Sequence, residues 1–210
     1  PMNVAIWPGW LNTLDPRELK SGAVEGMKHA ILCGDKILFD GIAKSISANN
    51  TVNEIGGYLE RIVQIKADVV EKDPAENGLR ATLNLGNTLA HALEACSHKN
   101  SPNNYLRHGE AVSIGLAFAA ILSTQQSKLP LEDRDHIISR LTTSGCLPNK
   151  EGLKNYLGIP INEGAFFQIF PHTKSDKKSV DGESRWVLLE AFGSCEIGDG
   201  RYSISIGDAA

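Results

Sequence analysis

Three stretches of the sequence place polar side chains inside otherwise apolar helical patterns. The first holds Glu25 and Lys28, which are three residues apart and share one helix face. The second is a stripe with spacings of four, three and four residues: Arg80, Asn84, Asn87 and His91. The third is His108, which opens the most hydrophobic helical stretch. Because a desolvated polar group is costly, such residues are expected to serve a purpose.

The residue types indicate a chemistry. Glu25, His91 and His108 supply the oxygen and nitrogen donors that a zinc site needs. Three cations are suited to holding a phosphate or a carboxylate: Lys28, Lys66 and Arg80. Metal-assisted chemistry on an anionic substrate is therefore one interpretation, and no cue names the reaction. A surface ion pair, a solvated helix face and a helix cap are the alternatives for the three stretches. A solvated face, however, normally carries Lys and Glu.

The elements that position these residues are predicted to be mostly helices. Apolar periodicity and start and stop signals favour helices over about 16–33 (interrupted at Gly22 and Gly26), 52–70, 80 or 87 to 96, 108–122, 131–143 and 150–157. Residues 97–105 predict a loop, and residues 4–7 a strand or an extended segment. Short strands are predicted at 186–189 and 195–197. The expected fold is mainly α, with a small β element near the C-terminus.

Bulk composition narrows the class of protein. The 210 residues are 41% hydrophobic and carry a net charge of −4, as in an ordinary globular domain, which argues against a general nucleic-acid binder. The four cysteines form no C-x-x-C pair and are expected to be buried thiols in a reducing compartment. No membrane span or signal peptide is predicted, so a cytoplasmic location is expected.

The same residues resemble the sugar-phosphate cyclases, and within them the 3-dehydroquinate synthase family. Ordered matches cover almost the whole chain: Thr13-Leu14-x-x-Arg17-Glu18, Gly22-x-x-Glu25-x-x-Lys28, Lys66-x-Asp68-Val69-Val70, Gly78-Leu79-Arg80, Asn84-Leu85-Gly86-x-Thr88, His91-Ala92-x-Glu94, His108-Gly109-Glu110-Ala111-Val112 and Asp176-Lys177-Lys178. One such match alone would be weak evidence. The whole series in order is specific.

The resemblance implies a two-domain enzyme. An N-terminal α/β domain would bind NAD, and a helical C-terminal domain would hold the metal and most substrate contacts. Residues 1–210 resemble only the second, as a single domain, so the NAD-binding domain is expected in cis or in trans. The four residues implied to touch NAD are Trp10, Leu11, Asn12 and Thr13. A sugar phosphate is the expected small-molecule partner, a homodimer is common in the family, and neither nucleic acid nor membrane is expected to bind.

The family reaction converts 3-deoxy-D-arabino-heptulosonate 7-phosphate to 3-dehydroquinate, in the shikimate pathway of aromatic amino acid biosynthesis. By resemblance, Glu25 and His108 are zinc ligands and Glu76 is an active-site carboxylate. Residues that bind or process the substrate are Lys28, Lys66, Arg80, Asn84, His91 and Lys177. His91 is placed for proton relay.

The sequence also departs from the family pattern. Asn87 stands where a histidine provides the third metal ligand, and a neutral amide should weaken binding of Zn²⁺ or Co²⁺. His98, in a predicted loop that is long for the family, could swing in to replace it. Ala90 replaces a family glycine. Three hypotheses stay open: the C-terminal half of a working synthase, a divergent binding or regulatory protein, and a cyclase for another sugar phosphate. The retained polar residues favour the first.

Overall fold

The computed structural model describes residues 3–47, 51–76, 78–126, 129–174, 184–198 and 200–205. Eight α-helices lie in these ranges: α1 (Pro16–Cys33), α2 (Lys36–Ser47), α3 (Thr51–Lys72), α4 (Asn87–Asn100), α5 (His108–Gln126), α6 (Leu131–Thr143), α7 (Lys150–Leu157) and α8 (Glu163–Lys174). The 3-10 helices are Pro8–Thr13 and Leu79–Asn84. The strands are β1 (Arg185–Trp186), β2 (Leu189–Ala191), β3 (Ser194–Cys195) and β4 (Ile204–Ser205). The predicted fold class, mainly α with a small β element, is confirmed.

Helix α1 carries the first polar stretch and is continuous. The Asp15 carboxylate accepts a hydrogen bond from the backbone N–H of Arg17, and Gly34 ends the helix in the left-handed conformation. The predicted interruption at Gly22 and Gly26 was wrong. Gly26 instead allows α3 to pack closely, because a Cβ there would lie 2.7 Å from the Ile62 side chain.

Helix α5 is the centre of the core and packs against α1, α4 and α6. Its residues Ala111, Val112 and Leu116 are almost wholly buried. They join the buried face of α1, including Met27 and Ile31, in one apolar cluster. The two polar stretches on α1 and at the start of α5 therefore lie on helices fixed to each other by the core.

Two glycines bring α4 against α5. Gly86 precedes α4 with φ of 78°, a conformation that favours glycine. Gly115 faces it on α5, and a Cβ at Gly115 would lie 2.0 Å from the carbonyl oxygen of Gly86. The bend at Gly86 also separates Leu79–Asn84 from α4. The predicted polar stripe is therefore not on one continuous helix.

Other boundaries also differ from the sequence prediction. Helix α4 continues to Asn100, so the predicted loop at 97–105 begins later. Residues 4–7 form no strand, and the extended backbone of Trp7 agrees with the other form predicted for them, an extended segment. Helix α8 was not predicted; Pro171 lies inside it, which obscures its pattern. Cys33 is exposed and Cys195 is only partly buried, so the expectation of four buried thiols was wrong, although all four are free.

The small β element packs on the end of α5. β1 pairs antiparallel with β4, with Arg185 opposite Ser205 and Trp186 opposite Ile204. β2 pairs antiparallel with β3. The side chains of Trp186 and Leu188 form a second apolar cluster with Leu122. None of the helices in the described ranges is long and apolar enough to cross a bilayer.

The close contact of α4 with α5 predicts that alanine has opposite effects on the free energy of unfolding at two glycine positions. Gly115→Ala should lower the free energy of unfolding by about 2 kcal/mol or more, since the added methyl meets backbone. Gly57→Ala on α3, where a Cβ meets nothing within 4 Å, should raise it by about 0.5–1 kcal/mol. Urea unfolding of both variants is the measurement. Equal stability of the two would contradict the packing described.

Candidate functional site

The centre of the candidate site is the buried ammonium group of Lys28. It donates to Glu25 Oε1 at 2.9 Å and to Asn87 Oδ1 at 3.1 Å. The Lys28 side chain is only 2% exposed, whereas that of Glu25 is 31% exposed. The surface ion pair considered for Glu25 and Lys28 is therefore replaced by a buried cation that joins α1 to the start of α4.

His108 lies between two carboxylates at the edge of this site. Its Nε2 is 3.5 Å from Glu25 Oε1 and its Nδ1 is 3.2 Å from Glu94 Oε1. Hydrogen bonds to Glu25 and Glu94 raise the pKa of His108 to about 9. Burial raises the pKa of Glu25, but hydrogen bonds from His108 and Lys28 outweigh it and lower that pKa to about 2.

Glu94 was not among the predicted site residues. It lies on α4 one turn after His91 and therefore on the same helix face, and it belongs to the matched motif His91-Ala92-x-Glu94. Its spacing was the signal that could have found it. Its carboxylate orients the His108 imidazole, as an outer carboxylate commonly does for a functional histidine.

Two contacts fix the start of α5 against α1: a close backbone approach at Gly109 and an ion pair between side chains. The backbone N–H of Gly109 donates to Ser21 Oγ at 2.8 Å, and a Cβ at Gly109 would lie 2.0 Å from the Ser21 carbonyl oxygen. The Arg17 guanidinium binds the Glu110 carboxylate with two bonds of 2.6 and 2.7 Å. These contacts hold His108 beside Glu25, and three of the four residues that make them, Arg17, Gly109 and Glu110, belong to the matched family motifs.

The first turn of α4 completes the cluster. Asn87 is the first residue of α4, directly after the left-handed Gly86, and this places its amide oxygen at Lys28. One turn later, the His91 ring stacks near that of His108 with centroids 6.3 Å apart. The structure thus brings together five predicted residues: Glu25, Lys28, Asn87, His91 and His108.

A second group of predicted residues lies in the turn before α4. The Asp73 carboxylate accepts from the backbone N–H groups of Gly78 (2.8 Å) and Arg80 (2.9 Å), which shapes this turn. Glu76 has φ of 58°, and its Oε1 accepts from Asn84 Nδ2 at 3.3 Å. The Arg80 guanidinium donates to the Pro74 carbonyl oxygen. The left-handed backbone of Glu76 is strained for a residue other than glycine, and strain of this kind often accompanies functional sites.

The remaining predicted residues lie outside these two groups. Lys66 is exposed on α3. The charge of Lys66 nevertheless acts on Lys28: burial lowers the pKa of Lys28, the Glu25 charge raises that pKa, and the Lys66 charge lowers it. The predicted NAD contacts, Trp10–Thr13, lie in a 3-10 helix that packs on α3. Lys177 falls outside the described residues.

A small cavity opens beside the cluster and brings in an arginine that the sequence did not single out. Asn84, Asn87, His91 and Arg185 are among its lining residues. The Arg185 Nε donates to Ser203 Oγ at 2.9 Å, and its backbone carbonyl accepts from Thr88. Arg185 begins β1, and no motif or spacing in the sequence marked it.

The predicted metal ligands fit a zinc ion only in part. Glu25 and His108 lie close enough together to share one cation. The Asn87 amide oxygen is neutral and already accepts from Lys28. His98 lies in the last turn of α4 and stacks on the Tyr105 ring at 4.3 Å, so it supplies no third ligand in this arrangement. In the described residues, no three His, Cys, Asp or Glu side chains are grouped to hold a metal ion. The three residues therefore do not form a complete zinc site.

Comparison with known proteins identifies the family. Residues 22–179 match the family described as 3-dehydroquinate synthase C-terminal. The chain belongs to this family. It is 37% identical over 205 residues to a 3-dehydroquinate synthase of Chlorobaculum parvum, covering 95% of the chain and 52% of that relative. It is 39% identical over 186 residues to one of Leptospira interrogans, covering 88% and 47%. The chain thus spans about half the length of these curated relatives.

Solved structures show the same fold. A 2-deoxy-scyllo-inosose synthase complexed with carbaglucose-6-phosphate, NAD⁺ and Co²⁺ superposes with a TM-score of 0.68 at 18% identity. A 2-epi-5-epi-valiolone synthase of Streptomyces hygroscopicus with NAD⁺ and Zn²⁺ bound gives 0.63 at 22% identity. Each match covers at least 95% of this chain and 51% of the other. The predicted family and the cyclase fold are both confirmed.

The position of His108 between two carboxylates predicts its titration. In protein freed of metal by chelation, the imidazole should titrate near pH 9, and Glu94→Gln should lower this pKa because the carboxylate charge that stabilises the protonated ring is lost. Since the folded-state pKa is raised, the stability gained from this pairing is present at pH 6 and is lost as pH rises towards 9. NMR titration of the histidine ring protons is the measurement.

The matched control for this titration is Glu71→Gln, on the exposed surface of α3. It should leave the His108 pKa unchanged. An ordinary His108 titration near 6.5 in the unsubstituted protein would contradict the described contacts.

Proposed function

We propose that this chain is the substrate-binding half of a 3-dehydroquinate synthase, which converts 3-deoxy-D-arabino-heptulosonate 7-phosphate to 3-dehydroquinate and phosphate. The observation that carries the proposal is the convergence of Glu25, Lys28, His91 and His108 on one site, in which Lys28 is buried and the two imidazoles are exposed. The curated relatives at 37–39% identity, which are named 3-dehydroquinate synthase, support this substrate over other sugar phosphates.

The residues divide into two proposed roles. Cationic side chains, namely Lys28, Lys66, Arg80 and Lys177, would bind the phosphate and the carboxylate of the substrate. His91 would move protons at the reacting carbon, and the Glu76–Asn84 pair would orient substrate hydroxyls. The burial of Lys28 supports the role in binding anions, because the attraction between a cation and an anion is stronger away from water.

The second half of the enzyme is proposed to be an NAD-binding domain. An exposed apolar patch at the start of the described chain supports a partner there: Val4, Ile6, Trp7, Trp10 and Leu14 are each at least 45% exposed. Of the predicted NAD contacts, Trp10 belongs to this patch, and Leu11, Asn12 and Thr13 follow it in the same 3-10 helix. Without that domain the chain is expected to bind substrate but not to turn it over, because oxidation of the substrate alcohol needs NAD⁺.

The metal of this proposed enzyme would be Zn²⁺ or Co²⁺, as in the solved neighbours, with affinity weakened by Asn87. The engagement of Asn87 by Lys28 also favours a second candidate function, in which a divergent homologue binds sugar phosphates without catalysis. We also propose a reducing, cytoplasmic location, which is compatible with four free cysteines.

Substrate binding by the chain alone tests the proposal. Isothermal titration with 3-deoxy-D-arabino-heptulosonate 7-phosphate should give saturable binding near one per chain. Arg80→Gln should weaken it about 10-fold or more, since a charged hydrogen-bond partner is lost. Arg134→Gln, in an exposed pair with Asp135 on α6, should leave it unchanged. No saturable binding by the unsubstituted chain would overturn the proposal.

The apolar patch predicts an interface. Trp10→Ser should weaken association with the NAD-binding half of a relative, supplied in trans, by about 10-fold or more, because exposed aromatic residues dominate interface energetics. Ile37→Ser on α2, where the side chain is 87% exposed, is the control and should have no effect. Biolayer interferometry would measure both. An equal loss from the two substitutions would argue against a specific interface at this patch.

A further inference from the structure

The Lys28 ammonium joins two of the three predicted metal ligands. Its Nζ lies 2.9 Å from Glu25 Oε1 and 3.1 Å from Asn87 Oδ1. A divalent cation shared by these two oxygens would have to lie beside the ammonium, and like charges at such distances repel strongly in a poorly solvated site. Metal and ammonium therefore compete for the same pair of oxygens.

Burial prevents Lys28 from avoiding this competition by moving into solvent. Its side chain is 2% exposed, and it is one of the largest fully buried side chains in the described chain. Its aliphatic stem is buried along with its ammonium group, so the side chain cannot turn outward as an exposed lysine can. Displacing the ammonium would leave a buried charge without its carboxylate, which is among the most destabilising changes known.

Asn87 favours the ammonium over a metal in this competition. An amide oxygen is a good acceptor for an N–H donor and a weak ligand for zinc, which prefers imidazole nitrogen. A histidine at position 87 would reverse this preference. With Glu25 and His108 it would give three protein ligands from three helices, which is the usual number in a zinc site with an open position.

We propose that the Lys28 ammonium is the resident cation of this site and that the chain binds its anionic ligand without a tightly held divalent metal. This inference rests on the proposed function, since it concerns the same site. It specifies which cation occupies that site. Among the described residues, the Lys28 hydrogen bonds use two of the three ammonium N–H groups. In the proposed complex, the third would donate to an oxygen of the bound sugar phosphate.

Zinc affinity of the metal-free chain and of three variants tests the inference, by titration in competition with a chromophoric chelator. The unsubstituted chain should bind zinc at roughly micromolar affinity or weaker. Asn87→His should bind at least about 100-fold more tightly, since even outer-shell partners change metal affinity about 10–100-fold. Lys28→Met should bind about 10-fold more tightly than the unsubstituted chain, because the competing ammonium is removed.

Lys20→Met, two turns away on α1, is the matched control and should leave zinc affinity unchanged. Thermal melts verify that each variant is folded. Nanomolar binding of one zinc by the unsubstituted chain would overturn the inference, as would a Lys28→Met variant that binds zinc no more tightly. A titration of the same samples with the heptulosonate phosphate separates the two proposals. If zinc binds tightly and the sugar phosphate also binds, only this inference fails; if the sugar phosphate does not bind, the proposed function fails.

Discussion

The arrangement of the site depends on two places where α5 approaches other backbone without an intervening side chain. At Gly109 it meets Ser21 of α1, and at Gly115 it meets Gly86 before α4. Close backbone contact fixes helix positions more tightly than flexible side chains can. As a result His108 at the start of α5, Glu25 on α1 and Asn87 on α4 converge. These residues lie far apart in sequence, and none would meet the others without these contacts.

The convergence places a buried cation where neighbouring groups must neutralise it. Lys28 is held by Glu25, and Glu25 in turn pairs with His108, which Glu94 supports from its other side. Each of these side chains stabilises the charge of its neighbour, so removing one changes the electrostatics of the others. Asn87 contributes a neutral oxygen to the same network. The charged side chains of the site therefore neutralise one another. Asn87, which departs from the family pattern, fits this network as a neutral hydrogen-bond acceptor.

Much of this could be predicted from the sequence, because it depends on local patterns. The helix start after Asp15 and the bounds of α6 and α7 follow from capping, proline and periodicity. The joint location of Glu25, His91 and His108 followed from costly polar residues in apolar helices. Helix α4 begins at Asn87, one of the two starts that the sequence predicted, but the left-handed bend at Gly86 was not predicted because the polar spacing continues across it. The role of Arg185 and the Lys28–Asn87 bond depend on tertiary contacts that spacing does not encode, whereas the spacing of Glu94 from His91 could have identified that carboxylate.

The proposal that the chain is half of a dehydroquinate synthase is tested most directly by reconstitution. The chain would be mixed with the NAD-binding half of the Leptospira interrogans relative, NAD⁺, zinc and 3-deoxy-D-arabino-heptulosonate 7-phosphate, and phosphate release would be followed. We expect phosphate release that requires both halves, saturates with added chain and is lost on His91→Ala. No release from a complex that forms and binds the sugar phosphate would contradict it, and would indicate a binding protein built on the cyclase fold.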